Sequence, residues 1–386
     1  MKSYLIILYL ILCILIFLTP AQLIYEQRHK FFSRGYINQY ESLHTAYLSS
    51  QYVKKENPGI IPDETFKAFV GGYLYKGGNP ILVTHDQPPL GRYIIALSIF
   101  LFDNVHTNII FLLLLSIGGI FLIAKSILKN TLLSLIPVAI FINEPLFLSK
   151  LAYSPLLEPI RLPFIVLALY FFIKGVSTEN SLKWFVLTAI MLGVVISTRF
   201  FVVGAMLVLA MFLYFFVKKQ IDKKVIIFTL SLHLALVVLL LSYVRTIQDG
   251  YTIWQIFGVQ KYILSYHNSK FVLPFSFWDL ILFNRWHTWW GDRSISSDYQ
   301  WVIAWPISTI LTALLGIFAL MKKVKLTSAE LVIILWVLLY SLTLSSGYTS
   351  TRYFLPLVPF LYILATAFLA RCIRIFKLKK GSPFMI

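Results

Sequence analysis

Apolar residues gather into ten long stretches, at 3–19, 107–124, 131–148, 156–173, 183–198, 200–217, 225–243, 301–321, 328–346 and 352–370. An α-helix needs about 17 to 25 such residues to cross the hydrocarbon core of a bilayer. The pattern therefore predicts an all-α bundle of about ten transmembrane helices. An eleventh run, Leu90–Phe102, falls short of that length, and a run so short is expected to lie in the interface or re-enter it. The first run has two marks of a cleaved signal, Lys2 ahead of it and Thr19-Pro20-Ala21 behind it. Its apolar core is long for a signal, and the charge pattern works with it retained as a span.

Polar positions divide just as unevenly. Two long polar segments, 20–89 (extended by the interfacial run to about 106) and 244–300, fall on one side of the membrane. The other turns on that side are short: Lys150–Pro155, Arg199 and Ser345–Thr351. The opposite side collects Lys125, Lys129, Lys174, Lys183, Lys218, Lys219, Lys223, Lys224, Lys322, Lys323 and Lys325, then the basic tail from Arg371 to Lys380. Only Glu179, Asp222 and Glu330 oppose them. Lysine and arginine mark cytoplasmic loops, so both ends are expected inside and both large loops outside. If Leu90–Phe102 crossed the membrane, every later loop would change sides and this rule would fail. The whole chain, 1–386, reads as one transmembrane domain. Its lopsided loops argue against the paired halves of many secondary transporters.

Composition agrees. Hydrophobic residues make up 59% of the chain and charged residues 13%, with a mean hydropathy of +0.79. A soluble chain cannot hide that much apolar surface. The 32 Phe, 22 Tyr and 9 Trp suit a protein with two membrane interfaces. The net charge of +18 is accounted for by topology, and no nucleic-acid partner is expected. Cys13 and Cys372 form no disulfide framework.

Polar chemistry concentrates on the outer face. In Ile61-Pro62-Asp63-Glu64-Thr65-Phe66, a proline before two acids signals a helix start, its carboxylates at the positive end of the dipole. Taken alone, that is a plain cap. Thr84-His85-Asp86-Gln87-Pro88-Pro89-Leu90-Gly91-Arg92 leads into the interfacial run. Arg92 there either snorkels to headgroups or binds phosphate. Glu158 and Arg161, at the mouth of a span, are one helical turn apart and either pair with each other or serve a ligand. Arg352-Tyr353 stands at headgroup depth before the last span. The aromatic segment Trp286-His287-Thr288-Trp289-Trp290-Gly291-Asp292 reads first as an interfacial anchor. As candidates near mid-bilayer the spans offer Glu144, before Pro145, and His233, which is expected to pack inside the bundle.

Asp63-Glu64, Gly71-Gly72-Tyr73-Leu74-Tyr75-Lys76-Gly77-Gly78-Asn79-Pro80, Pro88-Pro89-Leu90-Gly91-Arg92, Ser154-Pro155-Leu156-Leu157-Glu158-Pro159 and Arg352-Tyr353-Phe354-Leu355-Pro356 follow one another on one predicted face. This ordered set resembles the protein O-mannosyltransferases, and the layout recurs in the bacterial aminoarabinose transferase and other GT-C membrane glycosyltransferases. The chain departs from that pattern at Glu158, where Asp is common. It departs again at Gln87, where His or Lys usually precedes Pro-Pro-Leu, though His85 and Asp86 are close by. The soluble domain of the eukaryotic O-mannosyltransferases has no counterpart in these residues.

The resemblance implies a GT-C bundle with a large first outer loop carrying interfacial helices. It implies transfer of a mannose-like or other hexose or pentose from a polyprenyl (dolichyl-type) phosphate to a lipid, glycan or protein acceptor outside the plasma membrane. Arg92 and Arg352 would hold the phosphate, and Asp63 would act as base. Glu64, His85, Asp86, Glu158 and Tyr353 would bind donor or acceptor. Glu64 and Glu158 are also candidates for holding a divalent cation, Mg²⁺ or Mn²⁺. A transporter or lipid flippase is the rival class, and it would need ionisable groups along a path through the bilayer.

Overall fold

The structure, a computed structural model, describes residues 2–84, 86–220, 222–268, 273–288, 292–347 and 349–379. Its first helix, α1 (Lys2–Glu26), runs straight through Pro20. Proline has no N–H, so the carbonyl four residues earlier loses its helical donor. Asn143 supplies one, its Nδ2 donating to Ile16 O at 3.0 Å.

The first long polar segment folds into α2 (Arg28–Phe32), α3 (Tyr36–Leu48), α4 (Asp63–Tyr75), α5 (Pro80–Val83) and α6 (Leu90–Phe102). At 13 residues, α6 is about 20 Å long, well under a bilayer core. It lies against α4 with Gly71 at the crossing, where an added Cβ would stand 2.6 Å from Ile95 Cγ2. Gly91 brings the start of α6 equally close to Thr198 and Leu157. The carboxylate of Asp103, at the end of α6, accepts from Gly35 N at 2.7 Å and Ile37 N at 3.1 Å, tying α6 to the start of α3. Aromatic rings bind α3 to α4, Tyr47 stacking on Phe69 with centroids 4.4 Å apart.

The bundle continues with α7 (Asn108–Leu128), α8 (Thr131–Ile142), α9 (Pro145–Ala152), α10 (Leu157–Ser177), α11 (Leu182–Thr198), α12 (Val202–Lys218), α13 (Lys223–Ser231) and α14 (His233–Ser242). The second long polar segment holds α15 (Val244–Gln248), α16 (Ile253–Asn268), α17 (Ser276–Phe283) and an antiparallel ribbon of β1 (Trp286–His287) and β2 (Ile295–Ser296). Next come α18 (Ala304–Leu320), α19 (Ser328–Ser345), a 3₁₀ turn at Thr351–Tyr353 and α20 (Val358–Lys379).

Each of the ten apolar stretches is mainly helical. Among the described residues, Asn108–Leu128, Leu157–Ser177, Lys223–Ser242, Ser328–Ser345 and Val358–Ile375 are long and apolar enough to span. The pair α8–α9 makes a sixth span if counted as one, and α11, α12 and α18 are apolar helices of 17 residues each. This is an all-α integral membrane protein.

Three expectations change. The run 131–148 is broken by 57° between Ile142 and Pro145; Pro145 opens a new helix because it cannot donate to the old one. The last span starts at Val358, not at 352, since Pro356 and Pro359 favour a helix start there; the residues before it coil into the wall of the site. His233 is exposed at the α13–α14 junction, its Nδ1 3.0 Å from Leu230 O, instead of packing inside. Glu144 is buried at the α8–α9 break and accepts from Trp305 Nε1. Neither marks a path through the bilayer.

At the lysine-rich end, α19 begins with a capping box of Thr327 and Glu330. Arg371 Nη2 reaches Glu330 Oε1 at 2.6 Å, and Tyr214 OH donates to Ser328 Oγ at 3.0 Å. The opposite end of the bundle collects the outer-face motifs.

Candidate active site

Five parts of the chain converge at that end: the start of α4, the turn before α6, the start of α10, the α11–α12 turn and the 3₁₀ turn. Pro62 caps α4, so Asp63 stands at N1 as the sequence predicts. The Tyr52 ring stacks on Phe66 with centroids 4.0 Å apart, which aims its hydroxyl to donate to Asp63 Oδ1 at 3.2 Å. Thr351 Oγ1 donates to Asp298 Oδ2 at 2.6 Å and Tyr340 OH to Tyr353 O at 3.1 Å. Those two bonds hold the 3₁₀ turn, and with it Arg352, against α4.

Arg352 Nη1 donates to Asp63 Oδ2 at 2.8 Å, and its Nε lies 3.6 Å from Glu158 Oε1. Glu158, 4% exposed, also pairs with Arg199. Both arginines lie over the Tyr353 ring, at 4.9 Å and 5.1 Å from its centroid. These groups wall a cavity of about 190 Å³ together with Tyr52, Lys67, Asp86, Gln87 and Tyr266. A second cavity of about 110 Å³ adjoins it, sharing Arg199 and Tyr353. Apart from Arg161, its other walls are mainly apolar or aromatic: Phe200, Val202, Val203, Tyr340 and Leu344.

The charges of the first cavity act on one another. Burial pushes the Asp63 carboxyl up, but Lys67 and Arg352 outweigh it and hold the group below the ordinary carboxylate range. Lys67 is one turn beyond Asp63 on the same face of α4. Burial brings its ammonium down to about 8, Arg92 pushes the same way, and Asp86 and Asp63 oppose.

Of the residues expected in the site, Asp63, Asp86, Glu158, Arg352 and Tyr353 share this wall. Arg92 does not reach it. It is fully buried behind it, with Nη1 donating to Gln87 O at 3.3 Å and Pro88 O at 3.4 Å and Nη2 3.4 Å from Asp86 Oδ1. That geometry staples the Pro-Pro turn, while the buried Nε of Arg92 makes no hydrogen bond among the described residues. Glu64, one residue past Asp63, turns off the wall towards Lys30, where burial lowers the lysine's pKa and Glu64 partly restores it. His85 lies outside the described residues, as do Trp289, Trp290 and Gly291. The Glu158–Arg161 pair does not form, because Glu158 is taken by Arg199 and Arg352.

A divalent cation does not fit the carboxylates named for it. Glu64 is off the wall, and Glu158 already faces two guanidinium groups. Among the described residues no three His, Cys, Asp or Glu side chains converge as a metal set.

Lys67, Arg199, Tyr52 and Tyr266 enter the site without having been singled out. Lys67 carried a signal, its spacing of four from Asp63. Arg199 carried another, as a lone cation between two apolar spans, where an unpaired charge is costly.

A family model described as dolichyl-phosphate-mannose-protein mannosyltransferase matches residues 86–243. Among solved structures, the fold is similar to ArnT from Cupriavidus metallidurans bound to undecaprenyl phosphate: 17% identity, TM-score 0.57, covering 87% of this chain and 59% of that one. The apo form of ArnT matches at 18% identity and TM-score 0.51, over the same shares. The archaeal oligosaccharyltransferase AglB from Archaeoglobus fulgidus, in complex with an inhibitory peptide and a dolichol-phosphate, aligns at 10% identity and TM-score 0.47, covering 90% of this chain and 52% of that one. No curated protein matches the sequence. The chain thus spans about 59% of the length of the ArnT structures. In its helical architecture and in the order of its outer-face motifs, it resembles the GT-C membrane glycosyltransferases.

Proposed function

We propose that this protein transfers a sugar from a polyprenyl-phosphate donor to a hydroxyl acceptor at the extracytoplasmic face of the plasma membrane. The observation that carries the reading is the pair of adjoining cavities, one charged and one mostly apolar, that share Arg199 and Tyr353. An amphiphilic donor fits that shape. Its first isoprene units sit against Val202, Val203 and Leu344, its phosphate lies at the shared wall, and its sugar projects towards Asp63.

Arg199 and Arg352 hold the phosphate. Guanidinium forks match phosphate bidentately, and they take up the charge that grows on the leaving group. As the donor arrives, Arg352 moves its hydrogen bond from Asp63 to phosphate, so the Asp63 pKa rises and Oδ2 is free for the acceptor. The acceptor oxygen attacks the anomeric carbon from the face opposite the phosphate. The bond from that carbon to the phosphate oxygen breaks, and the polyprenyl phosphate leaves with the bonding pair. The acceptor proton passes to Asp63. A single displacement inverts the anomeric centre. Glu158 fixes both arginines, and Asp86 and Tyr353 shape the sugar pocket. Lipid, glycan and protein hydroxyls all suit this chemistry, with mannose or another hexose or pentose as the sugar.

The test is direct. Purified protein is incubated with radiolabelled polyprenyl-phosphate sugars and membrane extract, and label is followed into product. Label in a glycosylated product with inverted configuration is the expected result. Donors that stay intact across the whole set, under conditions where they bind, would overturn the reading.

A further inference from the structure

Arg161 is 2% exposed, one turn into α10 from Glu158. Its expected partner has turned away to Arg199 and Arg352. Among the described residues no carboxylate lies within 4 Å of the Arg161 guanidinium, it makes no hydrogen bond, and its buried Nε is unpartnered. A guanidinium buried with no carboxylate in contact is unfavourable in a bilayer protein. Yet this one lines the second cavity beside Arg199, among apolar and aromatic side chains. The cavity offers a positive end and an apolar body, the shape of an anion carrying a hydrocarbon chain.

We propose that Arg161 is a deep ligand of the donor's phosphate, closing on it together with Arg199 from the apolar side. This rests on the reading of the site as a polyprenyl-phosphate site. It also makes chemical sense of a second fork. The donor is a phosphodiester with one negative charge, whereas the departing polyprenyl phosphate is a monoester that approaches two near neutral pH. A cation in a dry cavity favours the state in which that charge has grown. Arg161 would therefore touch the leaving group, and its contact would strengthen as the sugar departs.

The experiment compares two probes on the purified full-length chain: a polyprenyl monophosphate and the uncharged polyprenol of the same length. Wild type is expected to prefer the phosphate. Arg161→Met should weaken phosphate binding by about ten- to hundredfold, the range for a charged hydrogen-bonded contact, and leave polyprenol binding as it was. The same variant, relieved of an unpaired buried charge, should unfold at a higher temperature without ligand and gain less from added polyprenyl phosphate. If the methionine variant does not fold, Arg161→Gln reads the same ratio. Either variant keeping the wild-type phosphate-to-alcohol preference overturns the assignment to Arg161 alone. A wild type with no such preference overturns the site reading beneath it as well.

Discussion

Arg352 and Asp63, 289 positions apart, are joined by a 2.8 Å hydrogen bond from Nη1 to Oδ2. The bond ties α4 to the segment before the last span, and it ties the proposed base to the proposed phosphate ligand. On the proposed reading, donor phosphate would compete for Arg352, and binding the donor and releasing the base would be one event.

Arg352→Ala should therefore weaken polyprenyl-phosphate binding by about ten- to hundredfold. Arg352→Lys should recover only part of that, because an ammonium lacks the planar fork. Titrating purified variants with polyprenyl phosphate decides the matter; an alanine variant that binds like wild type removes Arg352 from the phosphate site.

Arg92 should behave differently. It is buried against the Gln87 and Pro88 carbonyls and Asp86, so Arg92→Ala removes a partner of that carboxylate and empties a packed site. A loss of about 3 kcal/mol is expected, near the low end for a broken buried pair because Asp86 keeps 30% of its side chain exposed. Denaturation should show the loss, while the folded fraction keeps its polyprenyl-phosphate affinity. Weakened affinity with unchanged stability would return Arg92 to the site.

Lys67 sets a pH limit. Its ammonium titrates near 8 instead of the ordinary 10.5, so the cavity loses a positive charge as pH rises through 8. Burial raises the Tyr52 pKa, and Asp63 adds to the rise, so that phenol stays neutral. Polyprenyl-phosphate affinity should hold between pH 6.5 and about 7.5 and decline above 8. Lys67→Arg should extend the plateau upward, and Lys67→Met should flatten the profile. Stability should move the other way. The unfolded lysine keeps its proton up to about 10.4, so ligand-free protein gains stability with pH across this window. An unchanged profile in Lys67→Met would show that Lys67 does not face the phosphate.

Much of this was legible from sequence because bilayer physics is severe. Span length, the short α6 and the cap at Pro62-Asp63 follow from rules with few alternatives. The partners of Glu158 did not, since the helical neighbour at Arg161 competes with Arg199 and Arg352, and only packing chooses between them. The place of Arg92 behind the cavity wall was hidden for a related reason: depth in the membrane can be read from spacing, but the side on which a guanidinium finds its acceptors cannot. Arg199 was visible only as a costly lone cation whose partner lies in another helix.

Topology can be tested on exposed positions. Asn104 is buried, its Nδ2 bonded to the Lys30 and Ser33 carbonyls, and would label poorly. Glu56, before α4, and Lys129, after α7, are exposed, and α7, with its 21 residues, is about 31 Å long. In a background with Cys13 and Cys372 replaced by serine, Glu56→Cys should react with an impermeant maleimide on intact cells. Lys129→Cys should react only after permeabilisation. Labelling of both from the same side would mean that α7 does not cross, or that α6 does, and the outer assignment of the site would fall.

The decisive variant is Asp63→Asn. It keeps size and can still accept from Tyr52, but it removes the charge that takes the acceptor proton. Loss of a general base typically lowers rate by about 10²–10⁴-fold, so transfer to a verified acceptor should fall by that order. Donor affinity should not fall with it. Without a carboxylate at 63, Arg352 gives up its 2.8 Å bond more readily, so polyprenyl phosphate should bind as tightly as in wild type or more so. Glu64→Gln is the control, because Glu64 is off the cavity wall; its effect should stay within the roughly 0.5 kcal/mol usual for surface changes. If the two results are exchanged, Glu64 is the base and α4 must turn by one residue on binding. If Asp63→Asn transfers sugar at the wild-type rate, no proton passes through that carboxylate, and its bond to Arg352 is structural.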